Sequence, residues 1–233
     1  MTELSIVLAT YNEAANIAEL ITRIEPFVQD IDTEIIVVDD NSPDHTAQVA
    51  NKVGKQYGNV RVLVRTKERG LASALIRGFE ESKGDYILCM DCDLAHDPKH
   101  LPEMLALLKS NEADFVIGSR YIKGAKVVGK PFIKNAASRV AQFIASLVIG
   151  LNVKDATNNF RLFRREVYES VKDHLHPDGN VMIMELAYRA QRKGYMIKEL
   201  PILYREREHG ETKLKLLPEI KRFMKAIWRM RFG

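Results

Sequence analysis

Met90-Asp91-Cys92-Asp93-Leu94-Ala95-His96-Asp97-Pro98 is the stretch around which this sequence is organised. It follows residues 85–89, a short apolar run that predicts a buried strand. Asp91 and Asp93 are two positions apart, so an extended backbone places both carboxylates on one side. Like charges repel by about 4 kcal/mol at ~4 Å in a surface-like dielectric, and a divalent cation between them removes that repulsion. The alternative is that Asp93 caps the next helix while Asp91 is solvated.

Apolar runs typical of strands alternate with helical patterns upstream of this stretch. Strands are predicted at 4–9, 34–38, 60–64 and 85–89, with helices at 14–28, 46–57 and 70–81 between them. This alternation predicts an α/β fold with a mostly parallel central sheet and helices on both faces. Downstream, the patterns predict strands at 114–118 and 196–203, a return to the sheet at 158–163, and helices at 101–108, 131–151, 166–171, 184–192 and 216–232.

Polar clusters follow three of the predicted strands. Tyr11-Asn12-Glu13 comes after the first strand, Asp39-Asp40 after the second, and the Asp91/Asp93 pair after the fourth. Ligands of such sheets bind at the carboxyl ends of the strands. The three clusters therefore predict a binding site at this edge, although Asp39-Asp40 alone also fits a helix cap before Pro43.

Length and composition fit one α/β domain with a full core. The chain has 233 residues, of which 46% are hydrophobic and 28% charged. The net charge of +4 is mild and indicates no nucleic-acid partner. We expect no secretory signal at Met1-Thr2-Glu3 and no membrane-spanning helix, since no apolar run reaches ~18 residues. Cys89 and Cys92 lack the further ligands that a zinc site needs, and two unpaired cysteines fit a reducing cytosol.

Six motifs distributed along the chain form a recognisable set. They are Leu8-Ala9-Thr10-Tyr11-Asn12-Glu13, Val38-Asp39-Asp40-Asn41-Ser42-Pro43-Asp44, Met90-Asp91-Cys92-Asp93-Leu94 with His96-Asp97-Pro98, Gly118-Ser119-Arg120-Tyr121, Phe160-Arg161-Leu162 and His209-Gly210-Glu211-Thr212-Lys213-Leu214. As a set they resemble the dolichyl- or polyprenyl-phosphate mannosyltransferases, which are inverting family-2 glycosyltransferases with the glycosyltransferase-A fold. The resemblance covers about residues 4–214 and implies a catalytic domain at 1–213 followed by a basic amphipathic helix at 214–233.

The resemblance implies a nucleotide-sugar donor, GDP-mannose, and a Mg²⁺ or Mn²⁺ cofactor held by Asp91 and Asp93. Asp39 would bind the base and ribose. The position two places after Asp93 is often a polar residue in the family, but Ala95 cannot bind a metal. The implied donor-binding residues are Ala9, Tyr11, Glu13, Asp39, Asp91, Asp93, Arg120, Arg207 and Lys213. The implied catalytic residues are Asp91, Asp93, Arg120 and Arg207.

The implied acceptor is a lipid monophosphate, polyprenyl or dolichyl phosphate. Its oxygen is already anionic near neutral pH, because the second pKa of a phosphomonoester is about 6. It needs cations to hold it rather than a general base, and the candidates are Arg120, Lys134 and Arg139. A solvated basic face is the alternative for these residues. The implied reaction is an in-line attack on the anomeric carbon with inversion.

The predicted last helix is basic and amphipathic. Its apolar positions are Leu217, Ile220, Phe223, Met224, Ile227 and Trp228, and its basic positions are Lys221, Arg222, Lys225, Arg229 and Arg231. This pattern is typical of a helix on an anionic membrane surface, and packing on the domain is the alternative. We therefore expect peripheral attachment to the cytoplasmic face of a membrane, with small membrane subunits or a second copy as possible further partners.

Four other functions share parts of the pattern. A polyprenyl-phosphate glucosyltransferase using UDP-glucose would share the motifs, whereas a transferase to a hydroxyl acceptor would need a later base carboxylate that does not stand out. A nucleotidyltransferase would need a Gly- and Arg-rich loop after the first strand. A non-catalytic subunit that binds lipid or a partner is disfavoured because Asp93 and Arg120 are both present.

Overall fold

A computed structural model describes residues 2–129, 146–179, 181–205 and 216–232, with side chains of the last segment from Phe223 onward. Most of the helix predicted at 131–151 and the predicted boundary between 213 and 214 lie outside the described residues. They stay predictions.

The described residues contain strands that form two sheets. The strands are β1 Leu4–Thr10, β2 Thr33–Asp39, β3 Val60–Val64, β4 Tyr86–Cys89, β5 Phe115–Ser119, β6 Lys126–Val128, β7 Arg161–Arg164, β8 Ile197–Pro201 and β9 Leu203–Arg205. The central sheet has seven strands in the order β3-β2-β1-β4-β7-β5-β8, and β6 pairs with β9 in a second sheet. All pairs in the central sheet are parallel except those of β7, which runs antiparallel to both β4 and β5.

Helices connect these strands over both faces of the sheet. They are α1 Ala14–Ile24, α2 Thr46–Tyr57, α3 Leu71–Glu81, α4 Leu101–Lys109, α5 Arg165–Val171, α6 Val181–Arg192 and α7 Leu216–Phe232, with short 3₁₀ helices at Glu25–Phe27, Pro98–His100 and Lys172–His174. The predicted α/β fold with a mostly parallel sheet is confirmed. The single strand predicted at 196–203 was wrong, because β8 ends at Pro201, which has no N–H to extend the ladder, and β9 joins the second sheet.

Two apolar cores sandwich the sheet, as expected for strands buried on both faces. Alternation along β1 places Ile6 and Leu8 in the core under α1, α2 and α4, and Val7 in the core under α3, α5 and α6. Helix α7 joins the second core through a buried stripe that includes Ala226 and Met230. The last helix therefore packs on the domain, which was the alternative to a purely membrane-facing helix.

The same helix keeps an exposed apolar stripe on its other side, formed by Met224, Trp228 and Phe232. Within the described part of the chain, no helix combines the length and apolar character needed to cross a membrane.

Gly84 lies where the chain enters β4 and crosses close to β1. A Cβ at this position would lie 2.6 Å from the backbone nitrogen of Ser5 and 2.7 Å from the carbonyl carbon of Leu4. The Gly84 N–H also donates to Ser5 Oγ at 2.8 Å. Because backbone atoms cannot move aside as a side-chain tip can, only glycine fits here without displacing β1 or β4.

We expect Gly84→Ala to lower the free energy of unfolding by about 1–3 kcal/mol, because the added methyl group overpacks the β1–β4 junction. Urea denaturation followed by circular dichroism measures this loss. Lys83→Ala is the matched control, since it adds the same residue type one position earlier, where the side chain is exposed. Equal stabilities of the two variants would contradict this account of the junction.

Candidate active site

The polar clusters predicted to form a site lie at the carboxyl edge of the sheet. β1 lies between β2 and β4, and the chain leaves β1 toward β2 but returns to β4 only after β3. This reversal of strand order opens a crevice between the loops that follow β1 and β4, which is where open α/β sheets bind ligands.

The loop after β4 contains a strained backbone position. Leu94 has φ +62°, a left-handed conformation that costs a non-glycine residue about 1–2 kcal/mol. The side chain of Leu94 is buried, and the N–H of Ala95 donates to Asp93 Oδ1 at 3.1 Å, so the surroundings hold the turn in place. Strain of this kind concentrates at functional sites, where surrounding structure fixes side chains in one arrangement.

The two acidic residues are each oriented by an amide. Asn159 Nδ2 donates to Asp91 Oδ1 at 2.9 Å, and Asp93, which is 5% exposed, accepts the Ala95 N–H. The alternative that Asp93 caps the next helix is wrong: Asp97 accepts the Lys99 N–H at the start of that 3₁₀ helix.

The donor atoms around this pair fit a hard divalent cation. Cys92, between the two aspartates, is buried, and its Sγ lies 3.8 Å from the carbonyl oxygen of Ala9. Burial, and then the charges of Glu13, Asp91 and Asp93, raise the pKa of the Cys92 thiol well above its usual range. It is therefore a neutral thiol and not a soft thiolate ligand, and the carboxylate oxygens are the ligands that Mg²⁺ and Mn²⁺ prefer.

The protein groups alone do not complete a coordination sphere. Over the described residues, no group of three or more His, Cys, Asp or Glu side chains has an arrangement that could hold a metal ion. A cation at the Asp91/Asp93 pair would therefore take its remaining oxygens from substrate and water.

Asp39 closes the turn after β2. It is 1% exposed and accepts hydrogen bonds from Thr10 Oγ1 at 3.0 Å and from the backbone N–H of Ser42 at 2.9 Å. It does not cap α2, because Asp44 Oδ1 accepts the Thr46 N–H at 3.1 Å. The predicted contact of Asp39 with the base and ribose stays a prediction.

The loop after β1 is tied to the same turn. The Asn12 N–H donates to Ser42 Oγ at 3.0 Å, and Asn12 has φ +57°. Asp44 Oδ2 accepts the N–H of Ala14, so one carboxylate holds the starts of both α1 and α2. The side chain of Asn12 therefore does not cap α1.

Two arginines that the motifs did not single out complete this side of the crevice. Arg65, 9% exposed, donates through Nε to Asp40 Oδ1 at 2.7 Å, and the Gly70 N–H donates to Asp40 Oδ2 at 2.7 Å. These bonds fix the loop before α3, which places the Arg69 guanidinium 5.4 Å from the ring centre of Tyr11. Asp40 was the only residue of this group that the sequence pointed to, and spacing along the chain did not predict that Arg65 is its partner.

Arg120, at the end of β5, is held by a carboxylate that sequence reasoning also missed. Its Nε and Nη2 donate to the two oxygens of Asp155 at 2.8 Å and 2.7 Å, and Asp155 is fully buried. Burial disfavours the charged guanidinium, but the hydrogen bonds and charge of Asp155 outweigh it and raise the pKa of Arg120 above its usual value. Asp155 takes one N–H of Nε and one of Nη2, so Arg120 could reach a phosphate through the two N–H groups of Nη1 and the second one of Nη2.

Glu199 holds the loop that contains Asp155. Glu199, on β8, accepts the N–H of Lys154 at 2.9 Å and that of Asp155 at 3.0 Å. The Glu199 carboxylate therefore fixes the position of Asp155, which in turn fixes Arg120.

His96 supports the wall of the crevice and does not face it as a ligand. It is 1% exposed, its Nε2 lies 2.7 Å from Asn158 Oδ1, and its ring stacks on Phe160 with 5.3 Å between centres. Its backbone forms an isolated bridge with Tyr204.

The structure thus brings together seven of the predicted site residues at the carboxyl edge: Ala9, Tyr11, Glu13, Asp39, Asp91, Asp93 and Arg120. Four others, Lys134, Arg139, Arg207 and Lys213, lie outside the described residues. Their roles in acceptor and donor binding stay predictions.

Comparisons with known proteins identify the family of this chain. The sequence profile described as Glycosyl transferase family 2 matches residues 5–172. A dolichol-phosphate mannosyltransferase of Pyrococcus furiosus is 40% identical over 215 residues, which are 91% of this chain and 59% of that protein. An undecaprenyl-phosphate mannosyltransferase of Micrococcus luteus is 34% identical over 212 residues, covering 89% of this chain and 86% of that protein.

The fold is also found in a solved structure of low sequence identity. The glucosyl-3-phosphoglycerate synthase of Mycobacterium tuberculosis, in complex with Mn²⁺, uridine diphosphate and glucosyl-3-phosphoglycerate, superposes with a TM-score of 0.76 at 21% identity. The match covers 98% of this chain and 80% of that one. From the profile match and the relatives, this chain belongs to glycosyl transferase family 2, as its motifs predict.

Proposed function

We propose that this chain transfers a mannosyl residue from GDP-mannose to a polyprenyl or dolichyl monophosphate, with inversion at the anomeric carbon. The observation that carries the proposal is the placement of an oriented acidic pair, Asp91 and Asp93, at the same sheet edge as the carboxylate-anchored Arg120. The names of the two mannosyltransferase relatives support the sugar and the lipid phosphate.

The donor would lie in the crevice between the loops after β1 and β4. Asp39, Tyr11 and Glu13 would contact the nucleoside, with Arg69 beside Tyr11 adding positive charge at the rim. Asp91 and Asp93 would hold a Mg²⁺ or Mn²⁺ ion, which neutralises charge on the leaving diphosphate when bound. The two amide contacts that orient these aspartates keep them ready for this role before the donor arrives.

The acceptor oxygen would attack the anomeric carbon while the bond from that carbon to the diphosphate oxygen breaks. The electron pair of that bond leaves with the nucleoside diphosphate, and no proton has to be removed from the lipid phosphate. What the protein must supply is a cation that holds two anions close together. Arg120 would do so with Nη1 and the second N–H of Nη2, because Asp155 takes the other N–H groups of its guanidinium.

We expect purified protein to form a lipid-linked mannose from GDP-mannose and polyprenyl phosphate in the presence of Mg²⁺ or Mn²⁺. Thin-layer chromatography of a radiolabelled product, with UDP-glucose assayed in parallel, measures the transfer. Product from UDP-glucose alone would instead favour the polyprenyl-phosphate glucosyltransferase, and no product from either donor would contradict both readings.

In the same assay, Asp93→Asn should lower kcat by about 10²–10³, because a neutral amide binds a divalent cation much more weakly than a carboxylate does while keeping the side-chain shape. Asp97→Asn is the matched control, since it makes the same change in the same loop at a residue that caps the 3₁₀ helix. Equal activity of the two variants would show that Asp93 has no role in transfer.

We expect Asp155→Asn to lower the free energy of unfolding by about 3–5 kcal/mol, because it leaves the guanidinium of Arg120 buried without its counter-charge. It should also raise the KM for polyprenyl phosphate more than the KM for the donor. Asp114→Asn, at the other end of β5, is the control: its ion pair with Arg164 is partly exposed and should contribute about 1 kcal/mol or less. Urea unfolding and steady-state kinetics measure both effects, and matching losses in the two variants would contradict the special role of Asp155.

We further propose that α7 rests on the cytoplasmic face of a membrane. Trp228 and Phe232 are 64% and 70% exposed, one helical turn apart, with their rings 6.2 Å from each other. Aromatic side chains beside basic residues on one helix are typical of interfacial binding.

Replacing both aromatics, Trp228→Ala with Phe232→Ala, should reduce the partition onto vesicles of phosphatidylglycerol and phosphatidylcholine by at least about tenfold, since each buried aromatic contributes about 1.5–3 kcal/mol. Co-sedimentation measures the bound fraction. Val64→Ala with Met196→Ala removes two apolar side chains of similar exposure elsewhere and should bind as the wild type does. Unchanged binding of the aromatic variant would rule out this contact.

A further inference from the structure

A cleft of about 580 Å³ opens between the end of α5, helix α6 and the end of α7. Six basic side chains line it: His174, His176, Arg189, Arg192, Lys193 and Arg229. Helix α6 ends at Arg192, shortly before β8 begins at Ile197. The cleft therefore lies toward the amino ends of the strands, away from the candidate active site at their carboxyl ends.

Two carboxylates balance part of this charge. Glu185, fully buried on α6, accepts hydrogen bonds from Arg189 Nη2 at 2.7 Å and from Arg229 Nη2 at 3.2 Å. Asp178 accepts from Arg229 Nη1 at 2.9 Å, and His176 lies 3.1 Å from Glu185 through Nδ1. Two guanidinium groups are thus matched by two carboxylates, and their nitrogens are fixed in place.

Arg192 and Lys193 are left as excess positive charge. Both are exposed at the rim, and neither forms an ion pair with another described residue. A cation near the end of a helix also interacts favourably with the helix dipole, which accounts for Arg192 on its own. It does not account for His174 and Arg229, which reach the same cleft from two other elements.

The volume and the chemistry of the lining both fit a phosphate group with its substituent. Ligand pockets typically enclose about 300–1,000 Å³. A guanidinium group binds phosphate oxygens through paired N–H donors and an ammonium group adds a point charge, and Arg192 and Lys193 offer one of each at the rim.

We propose that this cleft is an anion site for a phosphate group, separate from the proposed transfer reaction. The phosphate belongs to one of two sources, the headgroup of an anionic lipid or a soluble phosphate compound. Arg192 and Lys193 supply the net charge that attracts it, and the anchored Arg189 and Arg229 define the floor of the cleft.

The charge-reversal variant Arg192→Glu with Lys193→Glu tests the site without breaking an ion pair seen in the structure. Its matched control is Lys52→Glu with Lys55→Glu, which makes the same change in net charge on exposed positions of α2, across the sheet. Isothermal titration calorimetry measures phosphate binding directly and needs no reporter group in the cleft. Circular dichroism melting establishes that both variants are folded.

Inorganic phosphate is titrated at constant ionic strength, and vesicles of equimolar phosphatidylglycerol and phosphatidylcholine are used in a separate binding assay. We expect saturable binding of phosphate by calorimetry, a Kd at least about tenfold higher in the α6 variant, and an unchanged Kd in the α2 control. The neutral variant Arg192→Gln with Lys193→Gln should have a Kd for phosphate between those of the wild type and the charge-reversal variant.

The vesicle assay distinguishes the two sources. If the α6 reversal weakens vesicle binding more than the α2 control does, the phosphate is a lipid headgroup. If it weakens phosphate binding alone, the site serves a soluble phosphate compound. A wild type that shows no saturable response to phosphate, or α6 and α2 variants that respond alike, would overturn the proposal.

Discussion

The buried guanidinium of Arg161 is the interaction on which the arrangement of the site depends. It is fully buried, and its three nitrogens donate to the carbonyl oxygens of Asn158, Ala156 and Ile183. Two of these carbonyls belong to the turn before β7 and the third to α6. One side chain therefore fixes that turn both to the strand it enters and to the helix packed beneath the sheet, which restrains every side chain that the turn carries.

The direction of β7 gives this turn its functional importance. Because β7 runs antiparallel to β4, with Cys89 opposite Arg161, the residues before β7 emerge where β4 ends. This pairing brings Asn159 to Asp91. On its other side β7 pairs with β5, and Asp155 meets Arg120 just beyond the end of that strand. The Asp91/Asp93 pair and Arg120 are thus positioned by β7, which runs antiparallel to its neighbours β4 and β5.

The sequence predicted the strands and polar clusters of the site better than it predicted the direction of β7 and the partners of the site residues. Buried runs such as 34–38 and the polar cluster after each strand follow from local patterns, and they were enough to place the candidate site at the carboxyl edge. The reversal of β7, and with it the partners Asp155 and Asn159, depends on pairing between segments about 70 residues apart. Spacing along the chain contains no signal for such contacts. The pair Arg65 and Asp40 was missed for the same reason, since the two residues lie on different loops.

The turn before β7 provides the partners of two arginines: Asp155 binds Arg120, and the carbonyl oxygens of Ala156 and Asn158 bind Arg161. Both are buried, so desolvation disfavours the charge of each. Arg161 meets only neutral carbonyls and its pKa falls to about 10, whereas the carboxylate of Asp155 keeps the pKa of Arg120 above its usual value. Both guanidinium groups stay charged at neutral pH, so the difference that matters is in their partners: carbonyl groups take all three nitrogens of Arg161, whereas Asp155 takes only Nε and Nη2 of Arg120. The arginine at the end of β5 therefore has the environment expected of a phosphate-binding residue, and the one inside β7 has that of a structural clamp.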